Sequence, residues 1–129
     1  MRPSALDSLA ADWIQYYVAL GNPNAPPLFP RHEELHALVH GEDPETVIDF
    51  IRAVLAKRND SDKWNTVIEN LAAGPLEDLL VYQGPGIIEV VESYARQNPA
   101  FRHLLGGVWE RDMAPEVWER VQALVQERW

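Results

Sequence analysis

The one run of residues spaced for metal chemistry is His32-Glu33-Glu34-Leu35-His36. Histidines four apart lie one turn apart on a helix face, which suits a shared zinc ion, and a glutamate between them can take a proton from zinc-bound water. The pattern defines an enzymatic alternative: a minimal zinc-dependent hydrolase with His32 and His36 as ligands and Glu33 as base. Its surroundings argue against that alternative. Glu34 puts a charge where such helices are ordinarily apolar, and the run follows Pro30 at a helix start instead of lying in a buried helix centre. His40 is eight residues beyond His32, about 12 Å along a helix, too far to share the ion. A third ligand would have to come from beyond the turn, from Glu42 or Asp43. Three fixed residues make a weak motif, so the solvated start of a helix is the preferred reading, with no metal or cofactor.

The other candidates are acidic. Between Asp60 and Glu92 there are seven acids and a single basic residue, Lys63. Glu77 and Asp78 follow Pro75 and fall in the first turn of an expected helix, where carboxylates gain about 0.3–1 kcal/mol from the dipole. Glu92 and Arg96 have the i, i+4 spacing of a surface ion pair. Such a stretch is either a solvated face or a surface for a basic protein, and Glu77, Asp78, Glu89 and Glu92 are the residues expected to meet that partner. No nucleotide or nucleophile motif competes. Gly84-Pro-Gly86 and Gly106-Gly107 fit no phosphate-loop pattern and read as turns, and no serine sits in a nucleophile elbow. The absence of cysteine removes disulfides, thiolate metal sites and cysteine nucleophiles.

Twenty acidic residues against eleven basic ones give a net charge of −9, which opposes a phosphate backbone, so nucleic acid is not an expected partner. No run approaches the roughly 18 apolar residues of a membrane span, and Asp7 and Asp12 interrupt the beginning before a signal peptide could form. The expected setting is cytoplasmic, away from membranes. With 47% hydrophobic residues and five tryptophans, 129 residues can bury the core of one domain spanning 1–129. Oligomeric state stays open.

Apolar spacing of three and four supplies the elements that must position these residues. Leu6, Leu9, Trp13, Tyr16 and Leu20 share a helix face behind Ser4 as N-cap, and Gly21-Asn-Pro ends it. Residues 21–30 hold four prolines and read as a surface loop, with Leu28 and Phe29 turned back to the core. A short helix over 31–40 closes at Gly41. Asp43-Pro44-Glu45 opens the next, with Val47, Ile48, Ile51, Val54 and Leu55 inward. Ser61 opens another, carrying Trp64, Val67, Ile68 and Leu71 to Gly74-Pro75. A short helix with Leu76, Leu79 and Leu80 follows and breaks at Gly84-Pro-Gly86, and a further one carries Ile87, Ile88, Val91, Tyr94 and Ala95. Asn98-Pro99 and Pro115 start the last two, with Trp118 assigned to the core and Trp129 to the surface. The sum is an all-α, compact bundle of seven or eight short helices, compatible with stacked antiparallel helix pairs.

The segment Leu71-Ala-Ala-Gly-Pro-Leu-Glu-Asp-Leu-Leu80, followed by Glu92, Ala95-Arg96, Asn98-Pro99, Phe101-Arg102 and Leu105-Gly-Gly-Val-Trp109, resembles an uncharacterised bacterial family of small helical domains of unknown function. The likeness covers roughly residues 43–109, with a weaker extension to Trp13. It implies a bacterial, all-helical, cytoplasmic protein and brings no catalytic residues; the histidine segment at 32–40 lies outside these motifs. The function expected from size, charge and helical architecture is a non-enzymatic, acidic protein-binding module for a basic protein, a toxin-neutralising (immunity-type) or regulatory inhibitor being its most concrete form.

Overall fold

The computed structural model describes residues 2–129, and their regular elements are helical throughout. Helix α1 (Pro3–Val18) begins on Pro3, whose fixed φ suits the first helical position, with Arg2 rather than Ser4 as the capping residue. It buries Leu6, Leu9, Ala10, Trp13 and Ile14. Leu20, expected on the same face, lies past the helix end and is 42% exposed. Gly21, at φ +100°, reverses the chain there, in a region only glycine enters cheaply.

The proline-rich loop is fastened to α1 at two points. The Tyr16 hydroxyl donates to the Pro26 carbonyl at 2.7 Å, and buried Phe29 meets Trp13 edge-on at 5.2 Å. Its neighbour Leu28 faces outward, 62% exposed. Helices α2 (His32–Val39) and α3 (Glu45–Ala56) follow where expected. α3 packs along α1 and buries Val47, Ile48, Phe50, Ile51 and Val54.

The main departure from the sequence reading is in the middle of the chain. The three helices expected between Ser61 and Gln97 are one uninterrupted rod: α4 (Trp64–Leu71), a π-helical segment (Ala72–Leu76) and α5 (Glu77–Gln97). Counted this way, the described residues form six helical rods, with no strand, in place of seven or eight short helices. Proline breaks an α-helix because it lacks an N–H and its ring strikes the carbonyl four residues back. At Pro75 the helix widens into the π segment, whose longer hydrogen-bonded turn makes room for the ring. Pro85 is accommodated on the solvent side of α5, where water can satisfy the carbonyl left without a donor.

Asn98 caps α6 (Pro99–Leu104), its Oδ1 accepting the Phe101 N–H at 3.1 Å, and a 3₁₀ turn (Leu105–Gly107) follows. α7 (Pro115–Leu124) starts on Pro115 and packs on α5, with Val117 lying against Gly84. Trp118 is half-buried beneath the Arg128 guanidinium instead of filling the core. The tail then folds back: the Trp129 N–H donates to Gly106 O at 3.1 Å, and its ring covers Gly107 so closely that a Cβ there would sit 2.7 Å away. One continuous apolar core joins α1, α3, the central rod, α6 and α7. No helix among the described residues is long and apolar enough to cross a membrane.

Two glycines of α5 should respond oppositely to alanine. Gly86 has open space around it, so Gly86→Ala should raise stability by about 1 kcal/mol through helix propensity. A Cβ at Gly84 would lie 3.0 Å from Val117 Cγ2 in the core, so Gly84→Ala should lower stability by roughly 1 kcal/mol. Urea denaturation of both variants checks the pair.

Candidate functional site

The rod carries a carboxylate into the interior. Glu77 is only 5% exposed, one of two buried polar residues among those described. Its Oε1 accepts the Trp109 backbone N–H at 2.7 Å, and its Oε2 accepts from Arg111 Nη1 at 3.1 Å. The same Nη1 also reaches Asp78 Oδ1 at 2.6 Å. The two carboxylates hold the Arg111 pKa above its ordinary value, the Asp78 hydrogen bond contributing most. A buried carboxylate satisfied by an N–H and a guanidinium fixes what it binds, because any displacement strands charge in a low-dielectric interior.

What Glu77 fixes is the loop between the 3₁₀ turn and α7. Val108 and Met113 are buried at its ends, while the residues between them are exposed. Arg111 adopts φ 45°, the only left-handed non-glycine conformation among the described residues. Such a backbone costs of order 1–3 kcal/mol and persists where its surroundings over-determine it. The outcome is a pinned main chain whose Trp109 side chain is 66% exposed. Beside it Glu110 and Asp112 are exposed and make no ion pair among the described residues.

The sequence-derived acidic set is therefore divided. Glu77, read as a first-turn surface acid, is buried inside the protein; buried Leu80 and Gly84 follow it at three and seven residues, a helical spacing that puts them on its side of the rod. Asp78 is half-exposed and committed to Arg111. Glu92 is clasped by Arg120 of α7, not paired with Arg96 one turn away, and the Arg120 hydrogen bonds hold its pKa below the usual carboxylate value. Glu89 alone of the four is exposed and without an ion pair among the described residues. It faces the same side as Glu116, both acting electrostatically on Arg120.

His32 and His36 are exposed along α2. His32 Nδ1 lies 3.0 Å from Phe29 O, and the His36 ring packs tilted against His40 at 4.3 Å, which in turn packs tilted against Tyr82 at 4.4 Å. Among the described residues no group of three histidine or acidic side chains converges as metal ligands do. Glu42 and Asp43 do not supply the third ligand that a hydrolase needs.

The chain belongs to the family of unknown function DUF6869, which it matches over residues 28–129. That span takes in the histidine segment left outside the sequence motifs and runs on to Trp129. No curated protein and no solved structure matches the chain.

Removing the Glu77 carboxylate should release the loop. Glu77→Ala takes the acceptor from the part-buried Trp109 N–H and is expected to cost about 1–3 kcal/mol, with faster amide exchange at Trp109 and Arg111 than elsewhere in the chain. For the histidines, elemental analysis of protein purified without a histidine tag should find no stoichiometric zinc; zinc retained by the parent and lost in His36→Ala would revive the hydrolase reading.

Proposed function

We propose that this chain is a non-enzymatic protein-binding module for a basic partner, with Trp109 at the centre of the contact. The observation that supports it is the combination at one loop of a largely exposed indole with a backbone locked by a buried carboxylate. Exposing a tryptophan to water is unfavourable, and tryptophan is among the residues that dominate binding energy when a partner covers them. A pinned loop loses little conformational freedom on association, so more of the contact energy appears as affinity.

The charge around the indole favours a cationic partner. A guanidinium or ammonium group over the Trp109 ring gains a cation–π interaction, and Glu110 and Asp112 stand at the rim to receive further basic groups. Glu89 and Glu116 extend the negative field over α5 and α7 and would speed encounter more than they strengthen the complex. The partner-binding surface proposed is thus centred one loop away from Glu77, Asp78 and Glu92, which hold the scaffold. The most concrete form of this function is a toxin-neutralising or regulatory inhibitor whose partner is a basic protein.

A photo-crosslinking residue at Glu110, beside the indole, tests the reading in the native cell. The expected result is one dominant crosslinked protein of basic isoelectric point, lost with Trp109→Ala and weakened as salt rises. Capture that is indifferent to both Trp109→Ala and ionic strength would overturn it.

A further inference from the structure

A second feature lies apart from Trp109 and has nothing to do with a protein partner. Where α1, the loop before α2 and the π segment meet, a cleft of about 250 Å³ opens beside His32 and His36. We infer that this cleft is a binding site for a small, neutral, planar heteroaromatic molecule carrying a hydrogen-bond donor and an acceptor on its edge.

Its size sets the scale: a cavity of about 150 Å³ accommodates benzene, and about 250 Å³ has room for one or two fused rings. The walls set the shape. Trp13 and Tyr17 stand 4.5 Å apart between ring centroids, and Phe29 meets Trp13 at 5.2 Å, so a flat ring finds aromatic surface to pack against. The π segment supplies depth. A Cβ on Gly74 would meet only the Trp13 ring, at 3.9 Å, so the space that a side chain would fill belongs to the cleft. Bulges of this kind concentrate at functional sites because they displace a helix turn without breaking the helix.

The polar groups specify the edge of the ligand. His32 Nδ1 lies against the Phe29 carbonyl, which can only accept, so in the neutral ring Nδ1 carries the proton and Nε2 is left as an acceptor. Tyr17 lines the same cleft, and its hydroxyl, with no hydrogen-bond partner among the described residues, is left as a donor. Burial, reinforced by Tyr16, raises the Tyr17 pKa and keeps that proton in place. The Trp13 indole N–H is buried and has no acceptor among the described residues. A ligand presenting a donor to His32 and an acceptor to Tyr17 satisfies both. The net charge of −9 favours a neutral ligand over an anion.

Adenine, nicotinamide and indole are suitable neutral probes, with benzoate as the anionic counterpart, titrated into the isotope-labelled full chain. Saturable shifts of the Trp13 indole N–H and the His32 ring with adenine or nicotinamide, and none with benzoate, are expected. Gly74→Leu should fill the cleft and abolish the shifts. If that variant does not fold, His32→Ala on the exposed face of α2 should weaken binding at least tenfold. The inference is overturned if none of the neutral probes saturates up to its solubility limit, if benzoate binds as well, if the shifts map elsewhere, or if a folded Gly74→Leu or His32→Ala binds like the parent.

Discussion

A proline within a helix costs about 3 kcal/mol relative to alanine, and the central rod carries two without breaking. The opposing term is burial. Trp64, Val67, Leu71, Leu76, Leu79, Leu80, Ile88 and Val91 are all buried along it, and each such side chain contributes about 1.5–3 kcal/mol when removed from water. The rod touches α1, α2, α3, α6 and α7, so ending it at either proline would dismantle contacts with several neighbours at once. The position of Glu77 follows from that continuity. So does the register in which α7 meets Gly84.

This balance explains which parts of the fold were legible in the sequence. Asn98-Pro99 and Pro115 encode helix starts within a few residues, and α6 and α7 begin there because a cap and a fixed φ are local properties. Gly74-Pro75 and Gly84-Pro85-Gly86 send equally clear local stop signals, yet the helix runs through them, because the gain that overrides them comes from residues distant in sequence. Trp118 shows a smaller version of the same limit. Its spacing suits the α7 core face, but the share of the ring that is covered depends on Arg128 in the returning tail.

The candidate site was less legible for the same reason. His32 and His36 announce themselves by spacing, but the missing third ligand is a matter of three-dimensional placement. Glu77 and Trp109 are 32 residues apart, and nothing near Trp109 says that its N–H will find a buried carboxylate. Arginine placement likewise decides which acids remain free: Arg31 takes Asp12 and Glu34, Arg111 takes Glu77 and Asp78, and Arg120 takes Glu92. A net charge locates none of this. It fixes the sign of the field, while the arginines sculpt where that field is exposed.

The π segment also acts on phase. An α-helix turns about 100° per residue, and a π bulge inserts one residue without interrupting the axis. The azimuth of every side chain in α5 is therefore offset by about that angle from the one α4 would have dictated. Two apolar stripes with different bearings can share a single axis, one aimed at α1 and the other at α7. Residues 72–76 thus behave as a coupling that sets the angle between two halves of a shaft, and they are intolerant of changes in length.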